Sequence, residues 1–97
     1  MALKIEWTPQ AVKGFNKVLD YLEAKWTARE ILNLENNIQQ VINQIKINPE
    51  QFPKSSKKVF LHKAIVDKNN YLVYRINKET NIVEIINFRG AKQKPKH

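Results

Sequence analysis

The sequence predicts an α+β fold of order β-α-α-β-β-β, an antiparallel helix hairpin packed on one face of an antiparallel sheet. Three observations carry this. The opening LKIEW alternates with a period of two. Residues 9–47 hold two apolar stripes at helical spacing. Residues 59–88 hold three runs rich in Val, Ile, Tyr and Phe, cut by turn-like tetrapeptides.

The elements follow in order. Leu3, Ile5 and Trp7 point one way along the first strand, Lys4 and Glu6 the other. Thr8-Pro9 starts a helix, with Thr8 as N-cap and Pro9 at the first helical position, where its missing N–H costs nothing. Val12, Phe15, Leu19, Leu22 and Trp26 form one apolar stripe on a helix of about residues 9–25. Thr27 and Glu30 make a capping box for a second helix. Its stripe is Ile31, Leu34, Ile38, Val41 and Ile45, and Asn48-Pro49 stops it near residue 47. The cap at Thr27 argues against one continuous coiled-coil helix, so the pair should fold back as a hairpin.

PEQFPKSSKK (49–58) reads as a loop. VFLHKAIV (59–66), YLVYRIN (71–77) and IVEIINF (82–88) read as three strands of a meander, joined by the turns DKNN and KETN. Two helices cover one face of such a sheet and leave the other to solvent or a ligand. Trp7 and Trp26 are expected in the core, and Tyr71 and Tyr74 differ in parity, so they face opposite sides of their strand.

The 97 residues fit one domain, 1–97, with a basic and irregular tail over about 90–97. No apolar run approaches the roughly 20 residues that span a bilayer, and MALKIEWT is not a signal peptide, so a membrane role is not expected and the cytoplasm is. Cysteine is absent, which excludes disulfides and Cys-based zinc or iron–sulfur sites. The net charge of +8 is unevenly spread. Residues 1–53 hold six bases and six acids, whereas residues 54–97 hold eleven bases and three acids. The excess lies in the second half and suggests a polyanion or an acidic protein as partner.

The order and several local markers resemble the RelE/ParE superfamily, the toxins of bacterial type II toxin–antitoxin systems. The markers are WTPQA leading into the first helix, the EAKW junction, the NPEQFP loop, YLVYRIN, and the closing EIINFRGAKQKPK. In that family the last segment commonly runs from an apolar strand into a basic residue, a polar residue and a proline, which Lys92, Gln93 and Pro95 match. The resemblance implies a compact toxin silenced by a cognate antitoxin protein. Within the family some members cleave mRNA on the ribosome and others poison DNA gyrase.

Metal-free RNA cleavage needs a base for the 2′-OH, cations for the charged phosphorane and an acid for the leaving oxygen. RelE-like members supply these mostly with lysines and arginines plus a terminal Tyr or His. The candidates by that resemblance are Lys57 and Lys58 in the loop, Arg75 in the third strand, Arg89 and Lys92 near the end, and His97 in the tail. Arginine does not serve as the base, because its pKa stays above about 12. A lysine among crowded cations does, through a lowered pKa. His62 reads as a structural or surface histidine. No metal-ligand spacing and no Gly-rich phosphate loop is present, Ser55-Ser56 has no base nearby, and no cofactor is implied. Lys92 stands where an arginine is usual, no tyrosine follows it, and the long helix hairpin is more ParE-like than RelE-like. The expected function is growth inhibition by ribosome-dependent mRNA cleavage. The alternatives are inhibition of DNA gyrase without catalysis, and an inactive relic that only binds antitoxin.

Overall fold

The computed structural model describes residues 3–25, 28–54 and 60–90. Strand β1 (Lys4–Trp7) leads into helix α1 (Pro9–Lys25). Helix α2 (Ala28–Ile47) follows, and then strands β2 (Leu61–Asp67), β3 (Asn70–Asn77) and β4 (Ile82–Gly90). The predicted elements are all present. The capping box at Thr27 and the core role of Trp26 lie outside the described residues.

The sheet is four-stranded with order β1-β4-β3-β2. β2, β3 and β4 form the antiparallel meander, but β1 joins at the far edge and runs parallel to β4, with Ile5 opposite Val83 and Trp7 opposite Ile85. The sheet is thus mixed rather than wholly antiparallel. Alternation within β1 sets which side chains turn inward; it carries no information on the direction of a neighbour 78 residues away.

Thr8 fixes this junction. Its Oγ1 accepts a bond from the Ala11 N–H at 3.2 Å, as an N-cap should, and donates to the Ile85 carbonyl at 2.8 Å. The Thr8 N–H donates to the same carbonyl at 3.1 Å. β4 is irregular here, since Val73 pairs with Asn87 while Tyr74 pairs with Ile85, which leaves Ile86 as the extra residue of a bulge.

The core lies between the helices and the inner sheet face. α2 contributes Leu34, Ile38, Val41, Ile42 and Ile45, and the sheet contributes Ala64, Leu72, Tyr74, Val83, Ile85 and Phe88. Each fully buried Ile or Leu is worth roughly 1.5–3 kcal/mol relative to exposure. α2 follows its predicted stripe. α1 is turned by about one residue, so that Ala11 and Val18 are buried while Val12 is 43% exposed. The cause is close approach. A Cβ on Gly14 would run into the Phe88 carbonyl oxygen, so α1 must present its smallest residues, Ala11 and Gly14, to β4. Trp7, Phe15 and Phe88 fill the remaining space as an aromatic cluster, Phe15 edge-on to Phe88 at 5.4 Å.

Both predicted turns form through short polar side chains. Asp67 Oδ1 accepts from the Asn69 N–H at 2.8 Å, and Asn77 Oδ1 from the Glu79 N–H at 3.1 Å. Asn81 takes the left-handed conformation (φ 59°) that asparagine tolerates better than most residues.

Candidate functional site

Strand alternation decides what each face of the sheet offers. Leu72 and Tyr74 turn toward the helices; Tyr71, Val73 and Arg75 turn away. The helix-free face therefore carries Lys63, Tyr71, Arg75, Glu84 and Arg89.

On that face Arg75 is committed. It pairs across the strands with Glu84, with Nε at 2.9 Å and Nη2 at 2.5 Å from the same carboxylate oxygen. The Arg75 side chain is 47% exposed, so this is a surface pair of modest worth, but its charge is locally balanced. Tyr71 is covered by the Lys63 ammonium, 4.3 Å from its ring centroid. Arg89 sits opposite Tyr71 at the other end of the sheet and is exposed. Four β3 positions separate the registers of Arg75 and Arg89, about 13 Å at strand rise, so their backbones stand well apart along the sheet. The other four predicted site residues, Lys57, Lys58, Lys92 and His97, lie outside the described residues.

The root of the NPEQFP loop is built into the fold. The Tyr74 hydroxyl donates to the Pro49 carbonyl at 2.5 Å, the Phe52 carbonyl lies 2.8 Å from His62 Nδ1, and the Lys63 N–H donates to the Pro53 carbonyl at 2.9 Å. His62 and Tyr74, opposite each other on β2 and β3, stack at 5.1 Å and 13°. His62 is thus a buried structural histidine. Since a carbonyl only accepts, its Nδ1 carries the proton. Burial, helped by the charge of Glu50, raises the Tyr74 pKa well above the usual phenol range and keeps its hydroxyl a donor.

A second basic feature was not legible as such in the sequence. Beyond Ile85, the last β4 residue paired with β1, Gln10, Lys13, Gly14 and Lys17 of α1 and Asn87, Phe88, Arg89 and Gly90 of β4 line an open cleft of about 310 Å³ along the strand edge, which Arg89 borders from the helix-free side. The signal available was the i, i+4 spacing of Lys13 and Lys17. What was missing was the partner strand. No cluster of three metal-ligating side chains occurs among the described residues, and none of their helices is long and apolar enough to cross a membrane.

Residues 5–95 match the family model described as the ParE toxin of the type II toxin–antitoxin system parDE. No curated protein sequence matches the chain. Among solved structures, the chain resembles the chromosomal ParDE system from P. aeruginosa, at a TM-score of 0.75 and 11% identity over 93% of this chain and 97% of that one. It also resembles a YoeB/ParE toxin from Agrobacterium tumefaciens (TM-score 0.66, 15% identity, 91% and 98% covered). A third likeness is to the RelBE2 toxin–antitoxin complex from Mycobacterium tuberculosis (0.65, 16%, 93% and 99%). At these identities the structural likeness is one of fold.

Proposed function

Since the chain belongs to the ParE toxin family of type II toxin–antitoxin systems, we propose that it arrests growth by binding DNA gyrase, with no chemistry of its own, and that a cognate antitoxin protein silences it. The observation that carries this reading is the Arg75–Glu84 pair. A cleavage centre needs uncommitted cations converging on one phosphate. Here Arg75 is balanced by a carboxylate, and Arg89 lies about 13 Å along the sheet. A binding toxin needs only a rigid, shaped surface, and a cross-strand ion pair helps to supply one.

The antitoxin reading is supported by the solved relatives, two of which are toxin–antitoxin systems. The helix hairpin offers Val12, Tyr21, Leu32 and Ile47 as exposed apolar anchors for a segment that folds on binding.

A second reading, ribosome-dependent mRNA cleavage, is favoured by the charge of residues 54–97, which include Lys57, Lys58, Lys92 and His97. Brief induction separates the two. The gyrase reading expects double-strand DNA breaks and an SOS response, with no new 5′ ends in mRNA by primer extension. Ribosome-dependent cuts without DNA damage would replace it with the second reading. Neither effect would point to a relic that only binds antitoxin.

A further inference from the structure

We propose that the cleft between α1 and β4 is a binding site for the phosphate backbone of duplex DNA. The inference rests on the gyrase reading for where that DNA comes from, and on the cleft itself for everything else. Its walls carry Lys13 and Lys17 from the helix and Arg89 from the strand, all three exposed, and among the described residues no acidic one lines it. Gln10 and Asn87 add side-chain amides able to donate to phosphate oxygens.

This concentration of charge is built, not incidental. Lys13 and Lys17 repel each other one turn apart on α1, and packing α1 along the edge of β4 sets both on the same cleft as Arg89. The packing depends on Gly14, which has no side chain to hold the two backbones apart. The first half of the chain has no net charge, yet two of its five lysines, Lys13 and Lys17, line a cleft with the basic second half.

The lining argues for a duplex over a single strand. Single-stranded nucleic acid is typically held by exposed aromatic rings on which bases stack. The one ring lining this cleft among the described residues, Phe88, is 1% exposed and belongs to the core. A site of cations and amides without a stacking platform reads backbone charge alone, which a duplex presents with its bases stowed. Binding should be independent of sequence and strongly weakened by salt.

The test is fluorescence anisotropy of the full-length toxin on a labelled DNA duplex and on single-stranded RNA of equal length, across a salt series. The variants are Lys13→Gln with Arg89→Gln, and the charge-preserving pair Lys13→Arg with Arg89→Lys, each checked for fold by circular dichroism. Wild type should prefer the duplex. The neutral pair should flatten the slope of log K against log salt by about 1.8, or 0.9 for each of two lost phosphate contacts. The charge-preserving pair should restore it. An unchanged slope in the folded neutral pair, or tighter binding to the RNA, would overturn the proposal. So would loss of antitoxin capture by the neutral pair with DNA binding intact, which would assign the cleft to the antitoxin. Duplex binding that depends on the two cations, in a toxin that leaves gyrase untouched, would uphold the cleft and refute the gyrase reading alone.

Discussion

The imidazole of His62 lies flat against the phenol ring of Tyr74, and each of the two side chains holds a carbonyl of the same loop, His62 that of Phe52 and Tyr74 that of Pro49. The pair fastens the start of the lysine-bearing segment to the middle of the sheet. Tyr74→Phe keeps the ring and removes the hydroxyl, leaving the Pro49 carbonyl without this donor. The expected cost is about 1–2 kcal/mol, read as a lower denaturation midpoint with an unchanged slope.

The same tyrosine gives a pH dependence. Its pKa is raised in the folded chain, first by burial and then by Glu50, so the folded state holds its proton more tightly than the unfolded state does. That contribution is fully present below the ordinary phenol value of 10.0 and is lost as pH rises through the higher folded value. Stability should therefore fall above about pH 10, and the Tyr74→Phe variant should lose this part of the fall. Denaturation curves of the two proteins in alkaline buffers check it; parallel curves would contradict it.

Gly14→Ala should destabilise, although alanine is the better helix former by about 1 kcal/mol. The new methyl would meet the Phe88 carbonyl oxygen, and α1 would have to lift from β4. Overpacking of this kind costs typically 1–3 kcal/mol, so a net loss is expected, larger for Gly14→Val. A thermal midpoint at or above that of wild type would show that the helix moves at no cost.

Thr8→Ala should cost about 1–2 kcal/mol, because the hydroxyl both caps α1 and holds the β4 bulge. Thr8→Ser keeps both bonds and should restore most of the loss, as equilibrium unfolding would record.

Much of this architecture was legible in the sequence. Thr8-Pro9 marks the start of α1, Asn48-Pro49 the end of α2, and the DKNN and KETN turns separate the meander strands, because capping and turn chemistry are local. The direction of β1, the rotation of α1 that exposes Val12, and the cleft that Lys13 shares with Arg89 were not legible. Each is decided by which element packs on which, through Thr8 on Ile85 and Gly14 on Phe88. Among the candidate site residues, the sequence offered Arg75 as a cation but not Glu84 as its partner, since that pairing follows from the strand register.

Three substitutions separate a binding surface from a catalytic one. Arg89→Ala and Lys92→Ala should each abolish growth inhibition at equal expression with little change in thermal midpoint, since Arg89 is exposed and Lys92 sits in a basic tail. Arg75→Ala, which removes a balanced charge, should leave growth inhibition within a few-fold and cost no more than about 1 kcal/mol. Loss of toxicity in Arg75→Ala alone would return Arg75 to a catalytic role.

The most direct test of the central claim is supercoiling of relaxed plasmid by purified gyrase in the presence of the purified toxin. Inhibition that scales with toxin concentration and is relieved by the cognate antitoxin is the predicted result. Supercoiling at the full rate, at toxin concentrations that stop protein synthesis in a ribosome-containing extract, would contradict it.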